Sequence, residues 1–432
     1  AQVFFSNSLW FACILLCVSF LDVWGGVAGL VAVICTNILA FAIGFNRSYI
    51  KQGYYGFNAL LVGLGIGVYF APSIEFYLVL FIAVLLTLFI TVTVDGMMSK
   101  FGLPYLSIPF IVALWTVTLA TRQFAHLEIS QRGVFIYNEL YAIGGQKFLD
   151  IYHWFGNLPV HDSLLTYFRS LGAIFFQNSV FAGVMIAIGL LFYSRIAFSL
   201  SLLSFFTAYF FYSFIGADIT QLSHGYVGFN FILTSIALGG FFIVASRRSY
   251  LWVIVLTPLI AVLIAAFSVI FNTYQLQIYS LPFNLIVILF LYILRYRVQG
   301  GKHLQLVVEQ NYSPELNLYN QQNYSARFSK SVYIPLELPV RDEWTVTQGH
   351  DGKITHRDDW RHAWDFEIEN EQKQFYHGDV YNKTNYFCYQ KPVYAPGDGW
   401  VENIIDHIDD NPIGNVDLEH NWGNTIIIRH AE

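Results

Sequence analysis

Charge is scarce in this 432-residue chain: 12% of its residues are Asp, Glu, Lys or Arg, about half the share usual in soluble proteins. With 56% hydrophobic and 18% aromatic residues there is too little polar side chain to coat the whole chain in water. An ordinary soluble globule is thereby excluded for most of its length. Cysteine is equally sparse. Cys13, Cys17 and Cys35 fall in apolar runs and Cys388 stands apart, so no disulfide framework exists, and the first three read as small buried hydrophobes. No charged leader or cleavage site precedes the first apolar run. No signal peptide is read, and the opening at Ala1 is expected to fall inside a repeat.

The charge that is present is segregated. Residues 1–299 hold 12 Lys/Arg and 8 Asp/Glu, whereas residues 300–432 hold 11 and 21. Two different solvents are implied. Ten apolar runs, near 9–23, 27–45, 55–70, 76–94, 106–121, 179–194, 196–216, 225–246, 250–271 and 281–294, form two groups of five. Several are too short to cross about 30 Å of hydrocarbon unaided and read as half-length or tilted segments. Residues 122–170 between the groups are amphipathic, with Tyr137, Tyr141, Trp154 and Phe155 suited to an interface.

The two groups are copies. Phe4-Phe5-x-Asn7-Ser8 recurs as Phe175-Phe176-x-Asn178-Ser179, Gly56-Phe57-Asn58 as Gly228-Phe229-Asn230, and Ser107-x-Pro109-Phe110 as Ser280-x-Pro282-Phe283. An odd number of crossings per unit turns the second copy upside down and puts a site at the membrane midplane. The expected fold is therefore a multi-pass α-helical membrane protein with two inverted five-helix repeats, 1–121 and 171–295. Pro104, Pro109 and Pro282 are expected where backbone oxygen lines a cavity. Ser107 and Ser280 would meet near the midplane, and Phe57 with Phe229, and Leu61 with Leu233 one turn on, would form apolar walls. A narrow slot with acceptor oxygens suits a small, planar, neutral molecule rich in N–H groups. It does not suit ions, whose dehydration nothing repays.

Leu103-Pro104-Tyr105-Leu106-Ser107-Ile108-Pro109-Phe110 resembles the urea transporter signature Leu-Pro-x-x-Thr-x-Pro-Phe, with Ser for Thr. Gln2-Val3-Phe4-Phe5 and Gly53-Tyr54-Tyr55-Gly56-Phe57-Asn58 are similar to two further segments of that family. The resemblance covers residues 1–295 and implies channel-like transport of urea or a similar small amide through a homotrimer with one pore per subunit, seated among lipids. It implies substrate-binding roles for Gln2, Phe5, Phe57, Leu61, Ser107, Phe229, Leu233 and Ser280, with the serines at the centre of an oxygen ladder. Two departures stand out: Leu276 to Phe283 lacks the first proline, and Ala173 stands where the first repeat has Gln2.

Residues 296–338 read as a linker and 339–432 as a small all-β domain of short strands broken by turns. Eight of the twelve histidines fall in residues 300–432. Thr355-His356 through Ala363-Trp364-Asp365-Phe366, Pro392 to Val401, and Gly423 to His430 resemble the M23 (LytM-like) zinc metallopeptidases, which cut peptidoglycan cross-links. That resemblance implies zinc, with His356 and Asp365 as two of its ligands, and leaves His350, His362, His377 and His430 without a role. The family's third ligand and catalytic histidines, in Tyr-x-His and His-x-His segments, do not occur here, and the natural chain is expected to continue past Glu432. Three classes compete: a passive channel, a membrane-tethered peptidase acting on peptidoglycan, and a channel carrying a non-catalytic cell-wall-binding module. No nucleic-acid partner is expected. The expected location is a bacterial inner membrane. With ten crossings, Arg47, Lys51, Lys100, Arg195, Arg247, Arg248, Arg295 and Arg297 share the face of the tail, which the positive-inside rule makes cytoplasmic. A tail acting on peptidoglycan needs the opposite side.

Overall fold

The computed structural model describes residues 1–132, 136–224, 227–297, 304–307, 310–328, 334–357, 360–415, 417 and 422–430. The chain divides into two compact units, Ala1–Arg327 and Phe328–Glu432.

In the first unit the ten apolar runs become ten helices. The first five are α1 (Leu9–Ser19), α2 (Val23–Ile43), α3 (Gly56–Tyr69), α4 (Ile74–Met98) and α5 (Ile108–Ala120). Two more, α6 (Ile136–Gly156) and α7 (Asp162–Ala173), join the groups. The second five are α8 (Val180–Tyr193), α9 (Arg195–Ile215), α10 (Phe229–Ile236, continued by a π turn over Ala237–Phe241), α11 (Arg247–Thr273) and α12 (Leu281–Arg295). Among the described residues, α2, α4, α9 and α11 are the helices long and apolar enough to cross a membrane. A helix keeps its backbone hydrogen bonds internal, which lipid demands. It can also be apolar on every side: α11 buries Val253, Leu256, Ile260 and Ile264 and exposes Leu251, Val255, Val262 and Val269. Cys13 and Cys17, expected to be buried, lie on the exposed side of α1, because that helix turns Phe11, Leu15 and Val18 inward instead.

The duplication is visible residue by residue. Ser8 and Ser179 cap α1 and α8, Asp22 and Ser194 cap α2 and α9, and Ser73 and Ser246 cap α4 and α11, each accepting a backbone N–H. Left-handed backbone recurs at Phe5 and Phe176 (φ 57° and 60°) and at Leu106 and Tyr279 (48° and 50°). Contacts between the halves are reciprocal, as in a two-fold arrangement. Arg122, after α5, donates to the Gln275 carbonyl at 3.1 Å, and Arg295, ending α12, donates to the Gly102 carbonyl at 3.0 Å. Phe5 lies 6.3 Å from Phe283 and Phe176 lies 6.1 Å from Phe110. Each group also owns a returning segment: Phe70 bridges Ile129 and Ile243 bridges Leu306. The linker read over 296–338 is revised accordingly. It carries such a return at Leu306 and a 15-residue helix, α13 (Pro314–Phe328), whose Glu315 accepts the Ile196 N–H at 2.8 Å.

Among its described residues the second unit holds four short strands, β1 (Thr345–Gln348), β2 (Asp365–Glu367), β3 (Trp400–Ile405) and β4 (Thr425–Arg429), in two antiparallel pairs, β1–β2 and β3–β4.

Small residues set the closest helix packing. Gly25 and Gly29 of α2 face Gly63 and Gly67 of α3, and a Cβ on Gly63 would sit 2.6 Å from the Ala28 carbonyl oxygen and 2.8 Å from Gly29 Cα. Those are backbone atoms and cannot swing aside. Gly63→Ala should therefore lower the unfolding midpoint in detergent, costing about 1–3 kcal/mol. Gly96→Ala, inside a helix with open space around it, should hold or raise the midpoint. Equal midpoints for the two variants would contradict this packing.

Candidate functional site

Ser107 and Ser280 stand at the N-termini of α5 and α12 with nearly the same backbone, φ −102° and −90°. Pro109 and Pro282 fall in the first turn of these helices, where an N–H would be orphaned anyway. The expectation that these two prolines free a cavity-lining carbonyl is corrected: they start helices and interrupt none. The helices meet head to head, with Ser107 Oγ and Ser280 Oγ 2.7 Å apart and both residues buried.

Three buried amides hold this meeting point, and none is among the residues expected from the sequence as substrate contacts. Asn58 on α3 donates to the Leu106 carbonyl at 3.1 Å and accepts the Phe110 N–H at 3.2 Å. Asn230 on α10 does the same for the Tyr279 carbonyl at 3.0 Å and the Phe283 N–H at 3.1 Å. Each bracket spans one serine and fixes the left-handed residue before it, a conformation non-glycine residues adopt at a cost of about 1–3 kcal/mol. The Leu106 and Tyr279 carbonyls are thereby already occupied. The third amide, Asn284, has no counterpart, because Ile111 fills that place in the first repeat. It accepts the Ser107 N–H at 2.9 Å and donates to Ser107 Oγ at 2.9 Å and to the Ser280 carbonyl at 2.7 Å. The repetition of Asn inside apolar runs was the available signal for the first two. A single polar residue breaking the repeat was the signal for the third.

Of the other expected residues, Leu61, Phe229 and Leu233 are buried and Phe57 is half-buried, its ring stacked 5.7 Å from Tyr105. Tyr105 donates to the Tyr54 carbonyl, and Tyr54 donates to Asp95 at 2.7 Å. Phe5 stacks on Phe241 at 4.7 Å. Gln2 lies in a separate polar group: its amide N–H groups go to Asn7 Oδ1 at 2.6 Å and to the Gln52 carbonyl at 3.1 Å. Ala173 is buried.

In the second unit β1 and β2 bring His356 and Asp365 together. His356 is buried, with Nδ1 2.8 Å from the Gly349 carbonyl and Nε2 3.1 Å from Asp365 Oδ1. Gln348 closes the loop between them by accepting the Ile354 and Thr355 N–H groups and donating to Asp365 Oδ2 at 3.0 Å. Burial and the neighbouring Asp365 push the Glu367 carboxyl above its usual range. Asp365 Oδ1 and the Gly349 carbonyl thus hold the imidazole through its two ring nitrogens. Among the described residues no group of three or more possible ligands exists. His350 stacks on Trp364 at 5.1 Å, and His430 Nδ1 lies 3.0 Å from the Asp398 carbonyl.

Asn58→Leu or Asn230→Leu would strand a buried carbonyl and a buried N–H. Each change should cost about 2 kcal/mol or more in unfolding free energy. Thermal melts in detergent test this, and a midpoint like that of the parent protein would show that the brackets are dispensable.

A family model for urea transporters matches residues 1–295, about two thirds of the chain and nearly all of its first unit. On that match, with paired serines at the meeting point of two duplicated halves, the chain belongs to the urea transporter family.

Proposed function

We propose that the first unit is a passive, channel-like path for urea, running between two inverted repeats and crossing the Ser107–Ser280 pair. The observation that carries this reading is the pair itself: two hydroxyls buried in an apolar interior, held by amides from both halves. The helix N-termini facing each other there make the centre electropositive, which opposes cations. An anion would meet only these partial dipole charges, which repay less than the hydration it loses. A neutral molecule with a carbonyl and flat amide groups meets neither penalty. Phe5, Phe57, Leu61, Phe229 and Leu233 supply apolar surface for its faces, and Gln2 a polar contact at one mouth. A homotrimer in a bacterial inner membrane completes the reading.

Liposomes holding the purified chain should take up urea faster than protein-free liposomes, with no ion current and no need for a potential. Equal rates would sink the proposal. Ser107→Ala removes the hydroxyl and adds no bulk, so urea uptake should slow by an amount equivalent to about 1–3 kcal/mol.

For the second unit, the His356–Asp365 pair favours a peptidase-like zinc module whose partner is peptidoglycan, either as a substrate or as a surface to bind. His356 and Asp365 would hold the ion, which in such sites makes its bound water a nucleophile near neutral pH. Two side-chain ligands hold zinc weakly, since stable sites use three or four. Titration calorimetry on residues 1–432 should show one weak zinc site, lost in both His356→Ala and Asp365→Ala. Tight binding that survives both changes would move the site to other histidines.

A further inference from the structure

We infer that Asn284 orients the two central hydroxyls into a one-way chain of donors, so that Ser280 donates a hydrogen bond to the carbonyl oxygen of the passing solute. This rests on the transport reading above and assigns it a chemical basis for selection: the centre recognises an acceptor on the solute.

The direction starts from two backbone groups whose polarity is beyond choice. The Ser107 N–H can only donate and the Ser280 carbonyl can only accept. Asn284 faces both, at 2.9 Å and 2.7 Å, so its oxygen must point to Ser107 N–H and its NH2 to the Ser280 carbonyl. The second hydrogen of that NH2 is then directed at Ser107 Oγ, 2.9 Å away, with Ser280 Oγ farther off at 3.4 Å. Ser107 therefore accepts, and a hydroxyl that accepts becomes a better donor. Its acceptor is Ser280 Oγ at 2.7 Å. Ser280, accepting in turn, is left with a hydroxyl hydrogen to give.

Six other buried hydroxyls of the first unit spend that hydrogen on their own helix. Ser19, Thr36, Thr87, Thr91, Thr234 and Thr257 donate to the carbonyl four residues earlier at 2.6–2.8 Å. Ser107 and Ser280 sit at N-caps, where no such helical carbonyl exists. Among the described residues neither hydroxyl bonds to a backbone carbonyl. The two helix N-termini add a positive potential that favours the oxygen end of a dipolar solute. Ile111 in the symmetric place cannot start a chain in the opposite sense, so the direction is single.

The test is stopped-flow uptake of urea, acetamide and thiourea by proteoliposomes. Urea and acetamide carry a carbonyl oxygen, whereas thiourea offers sulfur, a weak acceptor. The parent protein should conduct urea and acetamide well ahead of thiourea. Asn284→Leu should cut urea and acetamide uptake about tenfold, the loss of one directed hydrogen bond, and leave thiourea within about twofold. Ser280→Ala, which removes one atom at the end of the chain, should shift the ratios the same way and stands in if the leucine variant does not reconstitute. Uptake of all three solutes falling together, or unchanged ratios in both variants, overturns the donor chain. Parent protein that conducts urea without preferring it to thiourea overturns the donor chain alone, whereas parent protein no faster than empty liposomes overturns the transport reading beneath it.

Discussion

Two helices that begin inside an apolar interior create a demand the rest of the first unit is arranged to meet. Their first N–H groups have no intrahelical partner, and in hydrocarbon each unsatisfied group costs several kcal/mol. Water cannot be relied on there, so side chains must serve. Asn58 takes the Phe110 N–H, Asn230 takes the Phe283 N–H, and Asn284 takes the Ser107 N–H. Each amide must itself be delivered by a helix packed tightly enough to reach. The Gly25–Gly29 and Gly63–Gly67 contact serves that end for α3 and Asn58. Polar satisfaction at the centre and close helix packing outside it are one requirement seen at two distances.

Duplication meets this demand twice, and the copies then diverge in particular places. The brackets Asn58 and Asn230, the caps Ser73 and Ser246, and the reaching guanidiniums Arg122 and Arg295 keep their equivalence. The copies differ at Asn284 against Ile111, at Gln2 against Ala173, and at the starts of α2 and α9. There the first repeat uses Asp22 with Arg132 3.5 Å away, and the second uses Ser194 with Glu315 brought in by α13. The α9 solution places a carboxylate at a helix N-terminus from outside the repeat, where the α2 solution has it built in. One consequence is structural: residues after the second repeat are part of its first-turn chemistry, which is why α13 belongs to the first unit.

Legibility in the sequence followed the physics of each feature. The apolar runs and their offsets were readable because lipid imposes a long, nearly charge-free pattern, and the ten helices fall where the runs fall. The serine pair was readable because repetition marks residues that packing alone would not repeat. The prolines misled, since Pro in an apolar run has two meanings, interruption or first turn, and only the start of the helix decides between them. The helix Pro314–Phe328 was hidden by its Asn- and Gln-rich composition, which carries no apolar stripe and resembles a linker. Arg122 and Arg295 were hidden for a different reason. Their partners are backbone carbonyls 152–193 residues away, and a carbonyl has no side-chain signature.

The His356–Asp365 pair shows how far local sequence can carry a site. β1 and β2 lie side by side, so a histidine in the loop between them and an aspartate at the start of β2 need only a short turn to meet. Gln348 ends β1 and binds three groups of that turn together with Asp365, so the pair is held in place by its own strand. The pairing of β3 with β4 obeys no such locality: strands far apart in sequence are joined by packing, which short-range pattern does not encode. The two sites differ in the same way: the brackets Asn58 and Asn230 repeat at a constant offset, whereas His356 and Asp365 meet across one strand pair.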